Sequence, residues 1–194
     1  MRRRIAAALC AAVFGLGSMA SFAIARQKAA TPRAATPNGP FYSSIREIME
    51  SIIDPSADVL WGAVGTVVDK EGIHESFPKT PQEWLDLRRA AVRIIEGGNL
   101  LMMSGREAAP AGAKSEAPGV ELEPTQMTAL IKKNQKSFAA YAKALQAVGV
   151  EALRASEAQD AALLLDVGDR MENACESCHS TFWYPPEKHV SARK

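Results

Sequence analysis

The residues with the clearest chemistry lie together near the end of the chain, where it reads Cys175-Glu176-Ser177-Cys178-His179. The pattern C-x-x-C-H is the attachment signature of a c-type haem: two thiols bond the vinyl groups of the porphyrin, and one imidazole holds the iron. The motif therefore predicts one covalent haem c, attached through Cys175 and Cys178, with His179 as an axial ligand of the iron.

The same five residues could instead be a chance match, half of a zinc site or a thioredoxin-like redox pair. A structural zinc site needs four ligands, and the remaining residues of suitable type, Cys10, His74 and His189, are not clustered in the sequence. A redox pair is typical of a strand–helix context, and no strand pattern precedes the motif. Both observations favour the haem.

The residues before the motif predict a helix that carries it. Apolar or small residues recur at steps of three and four and lead into the motif, which places them on one helical stripe. A flat macrocycle fits against such a stripe, and Gly168 leaves space where a larger side chain would stand. The stripe consists of Leu164, Gly168, Met171, Cys175, Cys178 and His179.

The start of the chain predicts export. Residues 1–4 are basic, residues 5–17 are apolar, and residues 23–25 read Ala-Ile-Ala. This order is typical of a secretory signal peptide over residues 1–25, cleaved before Arg26, so we expect a periplasmic protein with no membrane span after cleavage. An uncleaved anchor is the alternative, because residues 5–25 carry no charge and are long enough to span a bilayer.

Composition narrows the class of protein. The 194 residues include 23 Lys and Arg and 22 Asp and Glu; three of the basic residues lie in the leader, so the mature chain has a net charge of −2. This balance gives no indication of a nucleic-acid partner. Once the leader is removed, two cysteines remain, both in the motif, so no structural disulfide is expected.

Four helices are expected in one domain over residues 41–187. It follows a flexible Ala/Thr/Pro-rich tether (26–40) and precedes a basic tail (188–194). No alternating strand pattern is evident, and the connection 69–79 reads as a polar loop. The segment 106–123 reads as a long mobile loop. The predicted helices are 43–68 with a kink or break at Asp54-Pro55, 80–102 ending before Gly105, 124–148 ending at Gly149, and one from a capping box at Ser156 through the motif.

Each predicted helix has an apolar stripe that it cannot bury alone. The simplest fold that buries all four stripes is all-α, an antiparallel four-helix bundle. Trp61 is expected on the buried side of the first helix.

Four helices with C-x-x-C-H at the end of the last one resemble the cytochrome c′ family, which includes the low-spin cytochromes c-556. The resemblance covers residues 41–184 and rests on the motif and its position. It implies thioether bonds at Cys175 and Cys178 and His179 as the fifth iron ligand. In the family the sixth position is empty in gas-binding members and filled, in the c-556 type, by a methionine near the start of the first helix, where Met49 stands.

The chain departs from the family pattern at two points. Phe182 is followed by Trp183, where the family often has a basic residue, and Pro55 interrupts a first helix that is usually continuous. Both departures bear on the surroundings of the haem.

Bundle geometry tests the sixth ligand independently. In an antiparallel bundle the end of the fourth helix lies beside the start of the first, which brings Met49, Met102, Met103 and Met127 to the same end. We expect Met49 to be the ligand. The alternatives are Met102 or Met103, or an open or water-bound iron. Arg46, Arg88 and Arg89 are weaker candidates for contact with the haem propionates.

Two functions are compatible with these residues. One is single-electron transfer by a His/Met-ligated haem, and the other is binding or sensing of a small gas at a five-coordinate iron. No catalytic residues and no enzyme are expected, because no clustered acid–base residues accompany the motif. The redox partner protein is not specified by the sequence, and both a monomer and a homodimer are compatible with it.

Overall fold

A computed structural model of the chain describes residues 41–184. The predicted signal peptide (1–25), tether (26–40) and tail (188–194), with Cys10 and His189, lie outside the described residues. The described part is mostly helical and contains one small two-stranded sheet. Across residues 41–184, no helix combines the length and the apolar character needed to cross a membrane.

The elements pack around one core. Helix α3 packs mainly on α5, and α5 packs on α6, while α2 contacts both α3 and α6. The most deeply buried large side chains are Ile48, Ile53, Ile94, Leu164, Val167 and Met171. In chain order the elements are α1 (Ile45–Ile48), a π-helical turn (Met49–Ile53), α2 (Asp54–Trp61), β1 (Gly65–Asp69), β2 (Gly72–Ser76), α3 (Pro81–Met102), α4 (Pro124–Lys133), α5 (Gln135–Ala158) and α6 (Ala161–Phe182).

The first helical stretch passes through the predicted break without interruption. The π-helical turn widens the backbone repeat, so that Ile48 and Ile53, five residues apart, are both buried. Pro55 then lies in the first turn of α2, where a proline is tolerated. Such widened turns are frequent at functional sites, and this one begins at Met49.

The predicted first helix is wrong beyond Trp61. Gly62 ends α2, and the β-branched run Thr66-Val67-Val68 pairs with residues 72–76 in an antiparallel hairpin. Gly72 has φ 131° at the turn, a conformation that side chains other than glycine's rarely adopt. The expectation of an all-α fold holds for most of the described residues, and the hairpin is the exception. The predicted helix extends too far because a three-residue β-branched run also matches the helical pattern.

The second predicted helix is confirmed. Thr80 and Glu83 form the predicted capping box, with the Glu83 N–H donating to Thr80 Oγ1 and the Thr80 N–H donating to Glu83 Oε2. Pro81 occupies the first turn and α3 ends at Met102, as expected. Its apolar stripe supplies much of the core.

The predicted third helix is two helices. Asn134 leaves the helical conformation between α4 and α5, with φ −119° and ψ 38°. Helix α5 then runs past Gly149, the predicted end, as far as Ala158. A Cβ at Gly149 would come within 3.0 Å of side-chain atoms of Ile94 and Ile95. Gly149 therefore allows close approach of α5 to α3 rather than ending a helix.

The predicted start of the fourth helix at Ser156 is also wrong. Ser156 is buried in the last turns of α5, and its hydroxyl donates to the Ala152 carbonyl at 2.7 Å. Gln159 adopts the left-handed conformation that ends α5, with φ 54°. Asp160 caps α6 by accepting from the Leu163 N–H at 2.9 Å. The residues that begin at Ser156 have the types found in a capping box, but they lie at the end of α5 and do not cap α6.

The segment 106–123, predicted as a long mobile loop, is held by buried polar groups. The Arg106 guanidinium donates to the Ser43 carbonyl and lies over the Phe41 ring, 4.5 Å from its centroid. The carbonyls of Glu107 and Ala108 accept from N–H groups of the first turn of α1, each at 2.9 Å. The segment thus supplies partners that the start of α1 cannot find within its own helix.

Candidate cofactor site

The two cysteines of the motif lie in the last turns of α6, half-buried against the core and without a disulfide. Burial raises the pKa of the Cys175 thiol to about 11, with a further contribution from the nearby Asp54 carboxylate. Burial also raises the pKa of the Cys178 thiol to about 12, and the neighbouring Cys175 adds to it. Both are neutral thiols at neutral pH, the opposite of the lowered thiol pKa that is typical of a redox-active C-x-x-C pair.

His179 lies beside the cysteines, with its side chain 25 % exposed. Its Nδ1 is 3.8 Å from Glu176 Oε1, and the Trp183 ring packs edge-on against the imidazole at 5.3 Å between centroids. Metal-binding histidines usually have a carboxylate or carbonyl near the ring nitrogen that does not bind the metal. The Glu176 carboxylate lies near His179 Nδ1 but beyond hydrogen-bond distance.

Two adjoining pockets open beside the motif. The first is lined by Cys178 and His179 together with mainly apolar residues, including Phe138. The second shares those three residues with the first and adds Cys175 and Asp54. The three side chains of the motif therefore face a shared, largely apolar space.

The structure separates the four candidate methionines. Met49 lines both pockets, and Met127 lines the first. Met102 and Met103 line neither: Met102 packs against the core, and the Met103 sulfur accepts from Arg106 Nη2 at 3.7 Å. Two of the four methionines thus line the first pocket with His179, and of these two Met49 alone also lines the second.

Of the three arginines that are candidates for propionate contact, Arg46 alone lines the first pocket. Its Nη1 lies 3.0 Å from Glu116 Oε1 on the segment 106–123. Arg88 and Arg89 instead pair with acids away from the motif, Glu157 at 3.2 Å and Asp86 at 2.9 Å.

Sequence reasoning missed Glu121, which is buried and fixes the residue packed on His179. Trp183 donates its Nε1–H to Glu121 Oε2, and Glu121 Oε1 accepts from Ser115 Oγ and the Ala117 N–H, each at 2.9 Å. Burial alone would raise the pKa of Glu121, but these hydrogen bonds together lower it, so the group is a carboxylate. No signal in the sequence could have found this contact, which joins residues 62 positions apart.

Asp54, which the sequence marks only as part of a helix break, lines the second pocket with Cys175 and His179. Burial raises the pKa of its carboxyl, the nearby His179 side chain opposes that shift, and the Asp58 and Glu50 carboxylates add to it. Three acidic side chains of the first helical stretch, Glu50, Asp54 and Asp58, therefore lie near one another on this side of the motif.

The zinc alternative gains no support between residues 41 and 184. His74 lies on β2, exposed as expected, with Nε2 3.1 Å from Asp69 Oδ1. Within that part of the chain, the one group of metal-ligand side chains is Asp69, Glu71 and His74, all exposed on the hairpin and without a cysteine. Asp69 Oδ1 is already used there by the N–H groups of Glu71 and Gly72.

The donor set fits the cofactor predicted from the motif. Two neutral thiols and an imidazole face one largely apolar space, which Met49 also lines. These are the groups that hold and ligate a haem of the c type. Comparison of the chain with protein-family models, curated proteins and solved structures finds no match.

Proposed function

We propose that the chain is a c-type cytochrome that carries single electrons, with one covalent haem. One observation carries the proposal: the side chains of Cys175, Cys178 and His179 line adjoining apolar pockets that they share with Met49. Cys175 and Cys178 attach the haem, His179 is the fifth iron ligand and Met49 is the sixth. The predicted leader places the protein in the periplasm.

A haem bound at this site supplies a one-electron iron couple. The residues of the chain hold it and control its surroundings. Attachment adds the S–H of each cysteine across a vinyl group, forming one C–S and one C–H bond without an oxidant. Phe138 and Ile131 line the pocket with apolar surface that excludes water. Glu121 fixes Trp183, which limits the movement of the His179 ring.

We further infer an antiparallel four-helix bundle of the cytochrome c′ type. Its first helix consists of α1, the π-helical turn and α2; its second is α3, its third α4 with α5, and its fourth α6. Support comes from a closed ring of neighbours, in which α2 contacts α3, α3 contacts α5, α5 contacts α6, and α6 contacts α2. Such bundles build their cofactor sites from side chains on facing helices.

The position of Met49 favours electron transfer over gas binding. Met49 lines both pockets with His179, and it is the first residue of the π-helical turn. A His/Met-ligated iron changes by one electron with little rearrangement, and methionine ligation raises the reduction potential. The gas-binding function requires the same site without the sulfur ligand.

Absorption spectra of the haem-loaded protein, oxidised and reduced, test this proposal. We expect a low-spin iron with the weak long-wavelength sulfur-to-iron band and negligible binding of carbon monoxide. Met49→Ala should remove the band, make the iron high-spin and admit carbon monoxide. Met102→Ala is the matched control, since Met102 lines neither pocket, and it should keep the wild-type spectrum.

Two outcomes would contradict parts of the proposal. A wild type that is high-spin and binds carbon monoxide readily contradicts electron transfer and favours the gas-binding function. If Met127→Ala, rather than Met49→Ala, removes the sulfur band, the assignment of the sixth ligand is wrong.

A further inference from the structure

An open groove runs beside the attachment residues, between α2 and α6. Asp54 and Trp61 line it from α2, and Glu172, Cys175, Glu176 and His179 line it from α6. It differs from the two pockets in having three acidic residues in its lining, whereas the first pocket has none and the second has Asp54 alone. Because Cys175 and His179 belong to both the groove and the pockets, the groove is a route from solvent to the proposed haem.

The acidic charge at the groove is not neutralised by neighbouring cations. Of the acids that line the groove, Asp54 lies on α2, and Glu172 and Glu176 lie four apart on α6. Two more acids, Glu50 and Asp58, lie beside the groove, each four residues from Asp54 and near enough to act on its carboxyl. Throughout residues 41–184, no Lys or Arg forms an ion pair with any of these five. Glu176 pairs with His179 alone. Arg170, on the same helix, is engaged by Glu151.

Trp61 adds an apolar centre to this acidic surface. Its side chain was expected to be buried, but the residue is 39 % exposed. The indole Nε1–H donates to the Gly168 carbonyl at 3.1 Å, and the ring lies 3.4 Å from the position a Cβ at Gly168 would occupy. Gly168 thus accommodates Trp61 and fixes an exposed aromatic ring at the edge of the groove. Fixed, exposed tryptophans surrounded by polar groups are typical centres of protein interfaces.

We propose that this groove docks a protein partner that presents basic residues around an apolar centre, and that electrons pass between the haem and the partner there. The proposal rests on the proposed function. In the exchange, one electron leaves the reduced iron and reduces the partner's oxidised redox centre, and no atom is transferred. Charge complementarity selects the partner: carboxylates on both sides of Trp61 attract a lysine- or arginine-rich face and repel an acidic one.

Stopped-flow oxidation of the reduced, haem-loaded protein tests this proposal, with two blue-copper proteins of opposite net charge as acceptors. At low ionic strength the basic acceptor should react faster, and added salt should slow it. Asp58→Asn combined with Glu172→Gln removes one charge beside the groove and one that lines it, without changing His179. This variant should react roughly three- to tenfold more slowly with the basic acceptor. Trp61→Phe keeps an aromatic ring and should slow the reaction less than Trp61→Ala.

The matched control is Glu71→Gln with Glu75→Gln, which removes the same net charge from the exposed hairpin and should leave the rate unchanged. If both double variants slow the reaction equally, or if salt does not slow the basic acceptor, the groove is not the docking surface. If the protein carries haem and has a normal spectrum but gives either of these two contradicting results, the docking proposal alone is overturned. A protein without covalent haem overturns the proposed function and the docking proposal together.

Discussion

Two connections between helices behave in opposite ways, the segment 106–123 and the hairpin 65–76. The sequence predicted a long mobile loop for the first, and the end of a helix followed by a polar loop for the second. Each contains glycines with a positive φ, Gly112 and Gly119 in the first and Gly72 in the second. The first is bound to the cofactor site through buried polar groups, whereas the second projects into solvent. A connecting segment therefore contributes to a site when its polar side chains are buried and form hydrogen bonds with residues at that site.

The segment 106–123 is hydrogen-bonded to Trp183, the residue whose ring packs against His179. Its buried residues Ser115 and Glu121 are linked by a 2.9 Å hydrogen bond, and Glu121 accepts from the Trp183 indole. The Leu122 N–H also donates to the Trp183 carbonyl at 2.8 Å. These contacts connect the segment to the end of α6 at several points.

The hairpin has a well-formed ladder but little burial. Its strands contact mainly each other. Val67, Val68 and Ile73 are 63 %, 73 % and 71 % exposed. Isolated two-stranded hairpins are marginally stable in water, so this one depends on its tight turn and short ladder rather than on a core of its own.

The sharpest test of this contrast is Glu121→Ala, for which we expect the largest effect. The change leaves the Trp183 and Ser115 donors without their partner in a buried environment, which should lower the free energy of unfolding by about 2–4 kcal/mol. Urea denaturation at pH 7 measures it. The control Glu75→Ala, on the hairpin, should change stability by less than about 0.5 kcal/mol. Equal effects of the two changes would remove the distinction between the two segments.

A smaller effect is expected of Trp183→Phe. Phenylalanine keeps a ring against His179 but removes the N–H that donates to Glu121, at a cost of about 1–3 kcal/mol for a hydrogen bond to a charged group. Thermal unfolding of the haem-loaded protein measures the loss. Trp61→Phe is the matched control, because its more exposed bond to the neutral Gly168 carbonyl should cost less. If Trp61→Phe lowers the stability as much as Trp183→Phe does, the special role of the Glu121–Trp183 hydrogen bond is contradicted.

Acid should weaken the segment 106–123 through Glu121. Because the folded-state pKa of Glu121 is lowered below 4.5, its stabilising contribution is complete above the unfolded-state pKa. That contribution is lost as the pH falls through the folded-state pKa. The stability difference between wild type and Glu121→Gln should therefore shrink as the pH falls from 7 through this range, as urea denaturation at several pH values would reveal. A difference that stays constant with pH would mean that the charge of Glu121 does not hold the segment.

The smallest effect is expected on the hairpin face. Val67→Thr with Ile73→Thr keeps β-branched side chains at two exposed positions, so the free energy of unfolding should change by less than about 0.5 kcal/mol. The absorption spectrum should be unchanged as well. A loss above about 2 kcal/mol would indicate that another part of the protein covers this face.

Local patterns predicted the parts of the molecule that depend on near neighbours. The capping box at Thr80 and the helix that carries Cys175 and Cys178 follow from spacing along the chain, and both are confirmed. The π-helical turn at Met49 could not be predicted, because apolar residues at steps of three, four and five all fit a broad helical stripe. The prediction from the local pattern at Ser156 is wrong, because its hydroxyl donates to the Ala152 carbonyl within α5 instead of capping the next helix.

The surroundings of the site depend on contacts between distant parts of the chain. Glu121 reaches Trp183 only after α4, α5 and α6 have packed, and nothing in its local sequence distinguishes it from a solvated loop carboxylate. Likewise, Met49 and Met127 could be separated from Met102 and Met103 only by the pockets that their side chains line. Residue types therefore predicted the chemistry, and packing determined which residues surround it.

Intact-mass spectrometry under denaturing conditions tests the central claim most directly. The protein would be expressed in cells that attach haem to c-type cytochromes, alongside the variant Cys175→Ala/Cys178→Ala. We expect the wild-type chain to carry the mass of one haem that survives denaturation and acid–acetone extraction, and the variant to carry none. A folded wild type with the mass of the polypeptide alone, or with haem that extracts freely, would contradict the claim that Cys175 and Cys178 attach a haem.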